Sequence, residues 1–219
     1  MIDTAYYEKI DFSVTEALRY LGMRGAEADG ETLRVLEEAR AEAEQALTPA
    51  VRYTEAEIVR GGEELRLSCI RTNSEDLKRN LFGCERAVLF CATVGLGIDR
   101  LLVKYGRTHS LKCALLQAIG AAYAESLCDR FCGDLQKKYK GYYLRPRFSC
   151  GYGDFPLSAQ REFFQALSPE KIGVTLNDSL LMSPSKSVTA VVGVGSDPCK
   201  SGIKGCVACE KTDCNFRSR

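Results

Sequence analysis

The sequence predicts an α+β domain with a largely antiparallel sheet, and three observations carry that reading. Strand and helix segments mix along the chain without strict alternation; a doubly wound parallel sheet is the alternative. Two strand candidates, Val51 to Val59 and Glu63 to Ile70, are split by Gly61-Gly62 in the manner of a hairpin. One helical stretch, from Ser110 to about Tyr139, is longer than any other.

The elements follow in order. Phe12 to Leu21 reads as a short helix, with Ser13 as N-cap and Gly22 as stop. Glu31 to Leu47 reads as a second, with Leu33, Val35, Leu36, Ala39, Ala43 and Leu47 facing inward. After the hairpin, Ser74 caps a short helix, Glu75 to Phe82, that ends at Gly83. Ala87 to Val94 reads as a buried strand, and Gly95-Leu96-Gly97 turns the chain into another helix. The long helix closes on lysines, which suit the negative end of its dipole. After Pro146 comes a loop, Arg147 to Pro156, then a helix from Ser158 to Leu167. Strands are expected around Gly173 to Leu176 and over Ser187 to Val194.

Composition narrows the class of protein. With 219 residues, 45% hydrophobic and 27% charged, the chain can build a proper core. Thirty basic residues face 29 acidic ones, so nothing electrostatic calls for nucleic acid or an anionic membrane as partner. The N-terminus lacks a signal pattern, and the best apolar run, Ala87 to Val94, has only strand length. The expectation is a soluble, cytoplasmic protein. In a reducing compartment its 11 cysteines are core residues or metal ligands rather than disulfides. Cys69, Cys84, Cys91 and Cys113 have apolar neighbours and read as core.

Three stretches hold the polar chemistry. In Arg147-Phe148-Ser149-Cys150-Gly151-Tyr152-Gly153-Asp154-Phe155-Pro156, two glycines and a proline bracket a turn that lets a ligand approach the backbone. An arginine at its start suits a carboxylate or phosphate; an ordinary loop with a surface ion pair is the alternative. On the long helix, Ala118, Ala121, Ala122, Cys128 and Cys132 form a seam of small side chains that also holds Glu125. Glu125 faces either a cationic ligand group or a structural partner such as Arg147. The third stretch, Ile172 to Ser179 followed by Met182 to Thr189, reads as strand, turn and a proline loop into another strand. His109, the single histidine, reads as a surface or capping residue, and Lys186 as solvated.

Taken in order, Arg-x-x-x-Gly-Tyr, an Ile-Gly-x-x-Leu strand and Met-x-Pro-x-x-Ser-Val resemble the S-adenosylmethionine-binding activation domain of cobalamin-dependent methionine synthase. The segment Ala122 to Arg130 also matches the part of that domain carrying a ligand-facing glutamate, and the agreement runs from about Ser110 to Ser196. The resemblance implies a twisted antiparallel sheet flanked by helices. It implies that Arg147 holds the methionyl carboxylate and that Glu125 faces the positive end of the ligand. Backbone groups around Ser149, Gly151 and Tyr152 would contact the adenosine, with Tyr152 as an aromatic wall. The implied activity is reductive remethylation of a corrinoid carried by methionine synthase or a related protein, with an electron donor as second partner. On this reading the chain is a stand-alone component working in trans, not a complete enzyme.

The chain departs from the family after Ser196-Asp197-Pro198, where Cys199, Cys206, Cys209 and Cys214 fall close together. This divides it into an activation-domain-like part, 1–198, and a cysteine-rich tail, 199–219. Four thiolates satisfy tetrahedral zinc or an iron–sulfur cluster; a tail of free thiols is the alternative. An iron–sulfur centre is favoured, because reactivation needs an electron. Two other functions compete: a metal- or iron–sulfur-containing redox adaptor, and an S-adenosylmethionine-dependent methyltransferase on another acceptor.

Overall fold

Twelve residues of extended chain, Ala50–Gly61 (β2), serve as the spine of the sheet. In this computed structural model, which describes residues 1–23 and 28–198, β2 is long enough to take two partners along one edge. Ile2–Tyr6 (β1) pairs with its first half and Glu64–Leu67 (β3) with its last residues. Ile70–Thr72 (β4) extends the sheet beyond β3. On the other edge of β2 lies Cys84–Thr93 (β5), then Ser187–Gly195 (β9), then the two-residue Tyr143–Leu144 (β6). Every pairing is antiparallel. Thr175–Leu176 (β7) and Met182–Ser183 (β8) form a separate small hairpin.

The first three helices start where the sequence supplies a side-chain cap. Ser13 Oγ accepts the Glu16 amide at 3.2 Å and opens Val14–Tyr20 (α1). Asp29 accepts the Thr32 amide at 2.7 Å and opens Gly30–Ala46 (α2). Ser74 Oγ accepts the Leu77 amide at 3.0 Å and opens Glu75–Asn80 (α3). Gly97–Tyr105 (α4), Ser110–Lys138 (α5) and Gln160–Leu167 (α6) complete the set.

The sheet is buried on both faces, which explains the continuous apolar run in β5. Val88, Phe90 and Ala92 point into a cluster with Leu36, Ile119, Tyr123 and Phe131 of α2 and α5. Ala87, Leu89 and Cys91 point the other way, onto Leu77, Phe163 and Leu167 of α3 and α6. Period-2 alternation therefore survives in geometry while vanishing from hydropathy. The 29-residue α5 runs through the first cluster, burying side chains from Leu115 to Leu135.

The fold class is the α+β class that the sequence predicts. Several details differ. β1 and β6 have no counterpart among the expected strands, and the strand near Gly173 shrinks to two residues. Leu33 is 41% exposed because α2 buries only a narrow stripe of Leu36, Ala39 and Ala43. Cys69 is exposed instead of core: it follows Ser68, whose φ of 57° turns the chain between β3 and β4.

Candidate functional site

After β6 the chain keeps following the edge of β9. The Arg145 amide donates to Gly193 O at 2.8 Å, and Phe148 exchanges two backbone hydrogen bonds with Val191 at 3.0 and 2.9 Å. Phe148 packs on the α6 side of the sheet. Its neighbour Arg147 reaches the other way, to α5. There Nη2 donates to Glu125 Oε2 at 2.8 Å, and Nη1 donates to Asp129 Oδ1. Nη1 also lies 4.0 Å from Cys132 Sγ. The pairing of Glu125 with Arg147 is one of the two readings the seam allows.

The surroundings set the electrostatics. Burial pushes the Cys128 and Cys132 thiols upward, so both stay protonated and neither is poised as a nucleophile. Burial acts to lower the Arg147 value, but the hydrogen bond and negative charge of Asp129 oppose it, and the guanidinium stays charged. Tyr20 of α1 brings a third wall. Its hydroxyl is pushed up to about 12, first by burial and then by the negative charge of Glu125. One arginine between two carboxylates leaves the cluster with a net negative charge, which suits the ammonium or sulfonium of a ligand.

The loop that follows is closed by its own backbone. Gly151 N donates to Phe155 O at 2.8 Å, Tyr152 N to Ser149 O at 3.1 Å and Phe155 N to Tyr152 O at 2.9 Å. The amides of Gly151 and Tyr152 are therefore already engaged. Outward face the Gly151 backbone and the Tyr152 ring, which is 55% exposed and meets Phe148 edge-on at 6.0 Å.

Asp154, which sequence reasoning passed over, anchors this loop from its far end. Its carboxylate accepts the amides of Glu75 and Asp76 and the hydroxyl of Ser74. Gly153 makes the close approach. A Cβ there would sit 2.0 Å from Asp76 Oδ2. That backbone approach serves an internal contact, not a ligand. No sequence signal links an aspartate to a helix cap 80 residues earlier.

Gly120, which lies between Ala118 and Ala121 in the sequence, is closed off by packing. A Cβ on Gly120 would meet Ile98 Cγ2 at 2.9 Å and the Lys186 stem at 3.0 Å. Lys186, expected to be solvated, is partly covered: its stem lies across Gly120 and its Nζ donates to Gln117 Oε1 at 2.6 Å in an exposed contact. His109 precedes α5 without a side-chain cap bond and meets Tyr105 edge-on at 5.6 Å.

Two open grooves mark the surface. One, of about 600 Å³, lies between Gln45–Thr48, Gly95–Lys104, Ile172–Gly173 and Pro184. The other, of about 480 Å³, is lined by Thr72, Asn73, Ser74 and Asp154 among others. Neither includes Arg147, Glu125 or Tyr152. A charged ligand on an open surface is held by convergent charged groups more than by concavity. Among the described residues, no group of three or more His, Cys, Asp or Glu is placed to hold a metal ion. The tail cysteines Cys199, Cys206, Cys209 and Cys214 lie outside the described residues. Among those residues, no helix is long and apolar enough to cross a membrane.

Comparison with known proteins places the fold. No protein-family model and no curated protein matches the chain. Among solved structures, the chain is similar to the crystal structure of the MetH reactivation domain bound to AdoHcy. The TM-score is 0.68 over 90% of this chain and 79% of that one, at 14% identity. At that identity the likeness is one of fold. The α+β architecture, an antiparallel sheet flanked by helices, is that of the MetH reactivation domain.

Proposed function

We propose that this chain binds S-adenosylmethionine and presents its methyl group to the corrinoid of a partner protein, either cobalamin-dependent methionine synthase or a relative. The observation that carries the reading is the meeting of Arg147 and Glu125 at 2.8 Å on a reactivation-domain fold. Arg147 takes the methionyl carboxylate and Glu125 the ammonium, so the amino-acid end of the ligand is fixed at both charges. Ser149, Gly151 and Tyr152 form the adenosine side, with the exposed Tyr152 ring as its wall.

Within this reading the partner's corrinoid, reduced by an electron donor, would be the nucleophile that takes the methyl group from the sulfonium, with S-adenosylhomocysteine as the leaving product. Arg147 and Glu125 would hold the ligand in place, so this chain would contribute proximity and orientation. The tail thiolates Cys199, Cys206, Cys209 and Cys214 are proposed to hold an iron–sulfur cluster; colourless, zinc-replete protein after anaerobic purification refutes that part.

Calorimetric titration with S-adenosylmethionine tests the pocket. Wild type is expected to bind saturably, Glu125→Gln more weakly and Arg147→Ala not at all. Equal binding by wild type and Arg147→Ala sinks the assignment. A redox adaptor predicts no binding by any variant. A methyltransferase on another acceptor predicts methyl transfer without a reduced corrinoid protein.

A further inference from the structure

The Arg147 guanidinium serves two carboxylates, and they are not equivalent. Nη2 holds Glu125 and Nη1 holds Asp129, one helical turn further along α5. The Glu125 side chain is 39% exposed and that of Asp129 is 73% exposed, while Arg147 is only 23% exposed. A well-exposed carboxylate loses little on letting go, because water replaces the arginine at once. A half-covered one gives up more, having less water within reach. The charge count points the same way. With both carboxylates in place the cluster is already negative, and a third carboxylate is opposed until one leaves.

Resting on the S-adenosylmethionine reading above, we propose that Asp129 is a built-in competitor for the carboxylate of the ligand. Arg147 keeps Glu125 and exchanges Asp129 for the α-carboxylate of an amino-acid-bearing nucleoside. No covalent bond changes in this step. One carboxylate leaves the guanidinium, one arrives, and the ammonium of the ligand offsets the charge beside Glu125. The exchange also selects. A nucleoside without the amino-acid end gains nothing from Arg147, and Asp129 stays where it is. Asp129 is then a specificity residue: it suppresses weak carboxylate binders and sets the affinity of the right one.

The test is calorimetric titration of the full chain, wild type and Asp129→Asn, with S-adenosylhomocysteine and with 5′-methylthioadenosine. The second nucleoside lacks both carboxylate and ammonium. Asp129→Asn is expected to bind S-adenosylhomocysteine about two- to five-fold tighter than wild type, the range of an exposed ion pair. Methylthioadenosine is expected to bind both proteins alike. Unchanged or weaker binding of S-adenosylhomocysteine to Asp129→Asn overturns the proposal. Equal tightening of both nucleosides overturns it as well, since the effect is then not directed at the carboxylate. If neither folded protein binds either nucleoside, the ligand assignment itself fails, and that result is distinct from a failure of the exchange alone.

Discussion

Asp154 accepts the backbone amide of Glu75 at 2.7 Å, so the loop carrying Ser149, Gly151 and Tyr152 is fastened to the first turn of α3. Two separate segments thereby share one cap. Ser74 satisfies the Leu77 amide, while Asp154 takes those of Glu75 and Asp76.

This contact makes stability pH-dependent. Burial works to raise the Asp154 carboxyl, but the Ser74 hydroxyl and the two amides outweigh it and hold it below the usual aspartate range. A depressed folded value means the contribution is present above the unfolded value of about 3.9 and fades as pH falls through the lower folded one. Asp154→Ala is expected to cost about 1 kcal/mol at neutral pH, the worth of an N-cap contact. Thermal melts from pH 7 to 2 should show the gap closing at the acid end. A gap that stays constant throughout would contradict the assignment.

Gly153 tests the same junction sterically. Its φ is +51° and an added Cβ would stand 2.0 Å from Asp76 Oδ2, whereas Gly22, at φ +86°, has nothing within 4 Å. Gly22→Ala therefore incurs backbone strain alone, about 1 kcal/mol, and Gly153→Ala that strain plus a displaced contact. Urea midpoints should fall further for Gly153→Ala. It should also weaken S-adenosylmethionine binding, which Gly22→Ala should not.

Burial of the sheet on both faces predicts that consecutive residues of β5 are equally intolerant. Leu89 and Phe90 are both 0% exposed and face opposite clusters. Leu89→Ala is expected to cost about 2–5 kcal/mol and Phe90→Ala about 3–5 kcal/mol. A one-sided sheet would show a large loss at one position and a small one at the other, so denaturant unfolding of the pair decides between them.

Lys186 gives a second pH signature, of the opposite kind. Burial lowers its ammonium below the ordinary lysine value, with Asp99 partly opposing. The charged form is thus disfavoured in the folded chain, and stability rises as pH climbs from the folded value to the unfolded one of about 10.4. Melting of wild type against Lys186→Met between pH 8 and 10.5 should show the wild type gaining ground; no relative gain refutes the lowered ammonium value.

Much of this could be read from the chain because the signals are local. α5 has a long periodic pattern and ends on lysines, and its bounds in the structure, Ser110–Lys138, differ little from the reading. Ser13 and Ser74 act as the caps their positions suggest. β1 escaped notice because its five residues are partly exposed without clean alternation. β6 escaped because two residues carry no period at all. Around the candidate site, Arg147 and Glu125 stand out by motif and seam. Asp129 does not, since an exposed acid on a helix has the sequence appearance of any solvated charge. Asp154 and Cys69 depend on how distant segments meet or on one left-handed turn, and composition records neither.

The pairing of β5 with β9 has a bearing on how the chain is made. Cys91 lies opposite Thr189, so the middle of the sheet waits for residues synthesised far later. During translation β5 can settle on β2 through nearby contacts, yet its other edge stays bare until Ser187–Gly195 emerges. Such long-range closure makes for slow folding and an interval of aggregation risk. A nascent chain arrested before Ser187 is thus a candidate client for chaperones, however well formed α5 already is by then.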